Sequence, residues 1–128
     1  MKRILIAEDD KKIGTALGIR LKAAGYEVIT TADGSEGYKV AVHDRPDLIL
    51  MDILLPSGTG FSVAERLRAA GLSEIPIIFI TASKKTEYWQ MAQEAGAVGF
   101  FEKPFDSEKL MAAISRALQS SQLTNQKS

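Results

Sequence analysis

Cysteine is absent from the 128 residues, which excludes disulfides, thiolate metal sites and thiol catalysis. Net charge is absent as well. Sixteen Lys and Arg cancel sixteen Asp and Glu, so nothing electrostatic selects nucleic acid or an anionic membrane as a partner. No apolar run approaches the ~18 residues of a membrane span. The opening MKRILIAEDD turns acidic too soon for a secretory leader. A cytoplasmic location is the resulting expectation. No internal repeat and no linker divides the body. What is present is the balance of a globular domain, 45% apolar and 25% charged, at a length suited to one domain.

Five short apolar runs recur: RILIA (3–7), EVITT (27–31), DLILMD (47–52), IPIIFIT (75–81) and AVGFF (97–101). Each is too short for a typical helix and rich in Ile, Val or Phe, so each is expected to be a strand. The third and fourth are almost continuously apolar, as in a sheet covered on both faces. Helical periodicity fills the gaps. Ile13, Ala16, Leu17, Leu21 and Ala24 mark a stripe in 11–24, closed by Gly25. Tyr38, Ala41 and Val42 mark 35–44, with Ser35 as expected N-cap. Segment 59–70 carries Phe61, Val63, Ala64, Leu67 and Ala70, and 84–95 carries Tyr88, Met91, Ala92 and Ala95. Leu110, Met111, Ile114 and Leu118 mark 107–118, with Asp106 or Ser107 as cap. The polar segment 119–128 is expected to fray. Alternation of this kind predicts an α/β (βα)5 fold, a doubly wound five-stranded parallel sheet of flavodoxin-like order 2-1-3-4-5.

In such sheets ligands sit beyond the carboxyl ends of the strands, where strand order reverses. Glu8, Asp9 and Asp10 follow the first strand, and Asp52 ends the third. With strands 1 and 3 adjacent, Glu8, Asp9 and Asp52 converge, while Asp10 is free to cap the first helix. Converging carboxylates repel. Either a raised pKa or a bound divalent cation relieves this. An all-oxygen set without nearby His or Cys favours Mg²⁺, with Mn²⁺ as a substitute. A carboxylate ending the most apolar strand is costly without a purpose.

Five features appear in order: Glu8-Asp9, DLILMDILLP with Asp52, FITA with Thr81, AGAVGF, and FFEKPF with Lys103. Together they resemble the receiver domain of bacterial two-component response regulators, over about residues 2–118. The resemblance implies a receiver domain over 1–118, with 119–128 a polar tail or the start of a linker. It implies that Asp52 accepts a phosphoryl group and that Asp9, Glu8, Asp52 and the Leu54 backbone carbonyl hold the metal. Lys103 would pair with Asp52 and then with phosphoryl oxygens, through a family cis bond to Pro104. Thr81 would bond the phosphoryl group, and Phe100 would be the switching aromatic, where the family often has Tyr or His. Plain core packing is the other reading of Phe100. Phe101 is expected on the opposite face. Leu54 and Ser83 would tune hydrolysis. Leu54 cannot orient an attacking water, so dephosphorylation is expected to be slow to moderate.

The implied donor is a sensor histidine kinase or phosphotransfer protein. The implied response is a repacked face of strand 4, helix 4, strand 5 and helix 5 for an unknown output domain or partner. Neither nucleic-acid binding nor membrane association is expected. The chain would catalyse only its own phosphorylation and dephosphorylation, and would not otherwise be an enzyme. Rival readings are a phosphatase-like hydrolase and a phosphorylation-independent interaction module. The Gly58, Thr59, Gly60 loop follows strand 3 and has Val63 at the third glycine position, so it is read as a turn and not a nucleotide fingerprint. His43 is expected at the surface. Trp89 is expected either on a partner surface or partly buried against Tyr88 or Phe100.

Overall fold

The computed structural model describes the backbone of residues 1–127 and the side chains of residues 1–119. Strands and helices alternate as β1 (Arg3–Ala7), α1 (Lys11–Ala23), β2 (Glu27–Thr31), α2 (Gly34–Asp44), β3 (Leu48–Asp52), α3 (Gly60–Ala69), β4 (Ile77–Thr81), α4 (Thr86–Glu94), β5 (Gly99–Glu102) and α5 (Ser107–Lys127). The five strands form one sheet in the order β2-β1-β3-β4-β5, and all four pairings are parallel. This is the expected flavodoxin-like (βα)5 fold. A two-residue ribbon between β3 and α3 pairs Leu54–Leu55 antiparallel with Gly58–Thr59.

Strand alternation sorts the core into two layers. Leu5, Ala7, Ile49, Met51 and Phe79 face the side covered by Ala41 of α2, Val63 and Leu67 of α3, and Ala92 of α4. Ile4, Ile6, Leu48, Leu50, Ile78 and Ile80 face Leu17 and Leu21 of α1 and Leu110, Ile114 and Leu118 of α5. Every residue of β3 is buried. A continuously apolar strand is what a sheet covered on both faces requires. Burying each such Leu or Ile contributes about 1.5–3 kcal/mol, which lets β3 carry a buried carboxylate at its end.

Several local expectations change. Asp33, not Ser35, caps α2, accepting from Glu36 N at 2.7 Å. The helix starts two residues sooner because Gly34 brings no Cβ, which would stand 3.0 Å from Val63 Cγ2. In α1 the buried face is Gly14, Leu17, Gly18 and Leu21, while Ala16 and Ala24 are exposed. Val42, Ala70 and Met91 are also exposed, lying at the edges of their apolar stripes. Helix α4 is shorter than 84–95 and has no side-chain cap. Asp10 caps α1 through Lys12 N and Ile13 N, and Asp106 caps α5 through Glu108 N and Lys109 N. The segment expected to fray is helical through Lys127, since it holds no Gly or Pro to stop the helix. Ser128 lies outside the described residues.

Candidate functional site

The carboxyl ends of β1, β3, β4 and β5 converge on one polar cluster. Asp52 ends β3 beside Ile80, and it is 4% exposed. Glu8 follows β1, and its backbone N–H donates to Thr31 O at 3.0 Å, holding it against β2. Lys103 follows β5, and its N–H donates to Thr81 O at 2.8 Å, which extends the β4–β5 ladder. The Lys103–Pro104 bond is cis. Glu8, Asp52 and Thr81 are all buried polar residues, whereas Asp9 is exposed.

The Lys103 ammonium is shared. Its Nζ donates to Asp52 Oδ2 at 2.8 Å and lies 2.6 Å from Glu8 Oε1. The second contact is an ion pair without hydrogen-bond alignment, so Glu8 Oε1 has no hydrogen-bond partner. Glu8 Oε2 accepts from Asp10 N at 3.1 Å, and Asp52 Oδ1 accepts from Leu54 N at 3.1 Å. Burial pushes the Glu8 carboxyl up from 4.5 to about 7. The Asp52 carboxylate adds to the rise, and contacts with Lys103 and the Asp10 N–H oppose it. Burial would lower the Lys103 pKa, but its bonds to Asp52 and Glu8 outweigh this and raise it. One ammonium cannot neutralise two buried carboxylates. Burial is the main reason Glu8 resists ionising, and the neighbouring Asp52 carboxylate adds to it.

Each of Glu8, Asp9 and Asp52 offers a carboxylate oxygen within 4.8 Å of the others. These donors are hard oxygens, and Glu8 Oε1 faces the Lys103 ammonium at 2.6 Å as an ion pair. The chemistry fits a hard divalent cation, which takes oxygen ligands. The pairing of Lys103 with Glu8 had no signal in the sequence, because it depends on how far each side chain reaches across the strand ends.

A profile of the response regulator receiver domain matches residues 4–115. The chain belongs to that family. It is 40% identical over 119 residues to the DNA-binding dual master transcriptional regulator RpaA of Synechocystis, covering 92% of this receiver and 49% of that protein. It is 35% identical over 122 residues to the alkaline phosphatase synthesis transcriptional regulatory protein PhoP of Bacillus subtilis, covering 95% and 50%. The chain thus spans about half the length of the curated relatives it matches. Among solved structures, a CheY-like receiver domain protein from Methanospirillum hungatei superposes with TM-score 0.90 at 28% identity, covering 97% of this chain and 98% of that one. Chemotaxis protein CheY4 of Vibrio cholerae gives TM-score 0.84 at 33% identity, covering 91% and 98%.

The remaining candidate residues of the receiver fall around this cluster. Thr81 Oγ1 accepts from Ser83 N at 3.1 Å, and Ser83 Oγ accepts from Lys85 N at 3.3 Å. The loop after β4 is therefore tied to the Thr81 hydroxyl, whose own proton is not used in that bond. The Leu54 side chain is 48% exposed. Phe100 is partly buried against the layer that contains Phe79, Phe61 and Tyr88. Phe101 packs on the opposite layer, as alternation requires. Trp89 is 54% exposed, which fits partial burial and leaves a large part of the ring at the surface. His43 is exposed and lies 3.0 Å from Asp44 Oδ1, a surface residue.

Proposed function

We propose that this receiver takes a phosphoryl group on Asp52 from the phosphohistidine of a sensor kinase or phosphotransfer protein. A carboxylate oxygen of Asp52 forms a bond to phosphorus as the P–N bond breaks. The imidazole leaves and takes up a proton, and an acyl phosphate remains. The observation that carries this reading is the Asp52 carboxylate, buried at the end of β3 with the Lys103 ammonium 2.8 Å away and two further carboxylates within 4.8 Å. Transfer of a phosphoryl group depends chiefly on positioning and charge neutralisation. Asp9, Asp52, the Leu54 carbonyl and Glu8 would hold Mg²⁺ or Mn²⁺, which would supply part of that neutralisation. Lys103 supplies a further positive charge, and the Thr81 hydroxyl donates its free proton to a phosphoryl oxygen.

Those last two contacts are the differential interactions that shift the conformation. Each charge-assisted bond is worth about 1.5–3 kcal/mol, and moving an equilibrium from 1:99 to 99:1 takes about 5.5 kcal/mol. Thr81 holds the β4–α4 loop through Ser83, so its movement toward the phosphoryl group repacks α4 and Phe100. The face formed by β4, α4, β5 and α5 is then read by an output domain or partner. The regulators it resembles are described as transcriptional, which supports an output acting on transcription, in the cytoplasm. The receiver would turn over only its own acyl phosphate.

The test is incubation with a small acyl phosphate and Mg²⁺, read by intact mass. Wild type should gain one phosphoryl adduct, and Asp52→Asn should gain none. An unmodified wild type would favour the phosphorylation-independent interaction module, and multiple turnover on phosphate esters would favour the hydrolase.

A further inference from the structure

After Asp52 the chain makes a closed excursion. It passes through Ile53, turns at Ser57, which has φ 64°, and returns to α3 at Gly60. The base of this loop is pinned by one bond, Gly60 N–H to Ile53 O at 2.8 Å. At that base the backbones nearly touch. A Cβ on Gly60 would stand 2.5 Å from the Asp52 carbonyl oxygen, 2.9 Å from Met51 Cγ and 3.2 Å from Ile53 Cα. At the other tight glycines the nearest obstacle is a side-chain atom. Gly99, for example, would meet Ile78 Cγ1 at 3.2 Å. At Gly60 the obstacle is the backbone of the phospho-acceptor itself.

We propose that Gly60 is a positioning residue for the receiver chemistry argued above, on which this inference rests. Its missing side chain lets α3 press on the Asp52–Ile53 peptide. This sets where Leu54 lies, and with it the Leu54 N–H that donates to Asp52 Oδ1 at 3.1 Å. The Leu54 carbonyl belongs to the same short segment. A methyl group at position 60 must push the two backbones apart by about half an ångström or more, since a Cβ does not sit closer than 3.0 Å. Misplacement of about 1 Å costs on the order of a hundred-fold in a positioned reaction. Loss of a group that orients metal ligands costs about ten- to a hundred-fold in metal affinity.

The experiment compares Gly60→Ala with Gly99→Ala, a crowding substitution away from Asp52. Three quantities are read at temperatures equally far below each variant's Tm. They are the Leu54 amide resonance of the metal-free protein, Mg²⁺ affinity by calorimetry, and phosphorylation rate by acyl phosphate at saturating Mg²⁺. Gly60→Ala should shift the Leu54 amide upfield, weaken Mg²⁺ binding about ten-fold or more and slow phosphorylation even at saturation. Gly99→Ala should keep wild-type values of all three. Wild-type values in Gly60→Ala, or equal losses in both variants, would overturn the proposal. If Gly60→Ala does not fold, Met51→Ala with and without Gly60→Ala reads the same difference, and a double variant that also fails makes the role purely structural and overturns it. A wild type that takes neither Mg²⁺ nor phosphoryl would remove the receiver chemistry, and the Leu54 resonance alone would then decide the role of Gly60.

Discussion

Glu8 should make the metal-free receiver lose stability as pH rises through neutrality. Its carboxyl titrates near 4.5 when unfolded and at about 7 when folded. Below pH 4.5 it is protonated in both states and costs nothing. Between those values only the unfolded chain ionises, so each pH unit favours unfolding by about 1.36 kcal/mol. Above about 7 both states are ionised and the loss is complete, at about 3 kcal/mol as an upper figure. Gln at position 8 keeps an oxygen for the Asp10 N–H and cannot ionise, and Lys103 keeps its bond to Asp52. Urea denaturation in EDTA at pH 5, 6, 7 and 8 should therefore show wild type falling by about 2–3 kcal/mol while Glu8→Gln stays nearly level. Saturating Mg²⁺ should flatten the wild-type curve, because a cation meets the same excess charge that the proton meets at lower pH. Parallel wild-type and Glu8→Gln curves in EDTA would refute the argument, since the shared ammonium would then neutralise both carboxylates.

Removing the ammonium makes the opposite demand. Lys103→Ala leaves Glu8 and Asp52 buried without a counter-charge and should destabilise by about 3–5 kcal/mol at pH 8 in EDTA, measured by urea denaturation, and by less at pH 5, where Glu8 is protonated. Thr31 Oγ1 is buried without a hydrogen-bond partner, so Thr31→Val should stabilise by about 1 kcal/mol in the same assay. If phosphorylated Asp52 is shielded by the Leu54 side chain, Leu54→Asn and Leu54→Ala should both shorten the acyl-phosphate lifetime, followed by intact mass after the donor is removed. Unchanged lifetimes would show that residue 54 does not control access of water.

The apolar length of β3 and β4 makes a sheet covered on both sides legible, and the strand order follows from the flavodoxin-like pattern of alternating strands and helices. Placing β1 beside β3 brings Glu8, Asp9 and Asp52 together from the sequence alone. Lys103 was readable only through its resemblance to the FFEKPF pattern, since a lone lysine after a strand carries no signal. The sharing of its ammonium between Glu8 and Asp52 was not readable at all. Residues that act through their lack of a side chain were harder still. Gly60 reads as one more turn glycine in PSGTGF, and Gly14 and Gly18 dropped out of a stripe built from larger apolar residues. A missing Cβ has meaning only against the atoms it would meet, and those belong to segments far away in the chain or, for Gly60, on the other side of a loop.

That difference has a physical consequence for the site. The charges at the strand ends create an electrostatic excess that any cation or proton can relieve, and their positions after β1 and at the end of β3 expose it in the sequence. Gly60 fixes how closely α3 approaches the backbone that carries Asp52, and on the proposed reading that approach decides whether relief comes with the geometry for phosphoryl transfer. On the proposed reading, a chain could keep Glu8, Asp9, Asp52 and Lys103, hold a metal weakly, and still lose on the order of a hundred-fold in transfer rate if α3 stood about 1 Å further from Asp52.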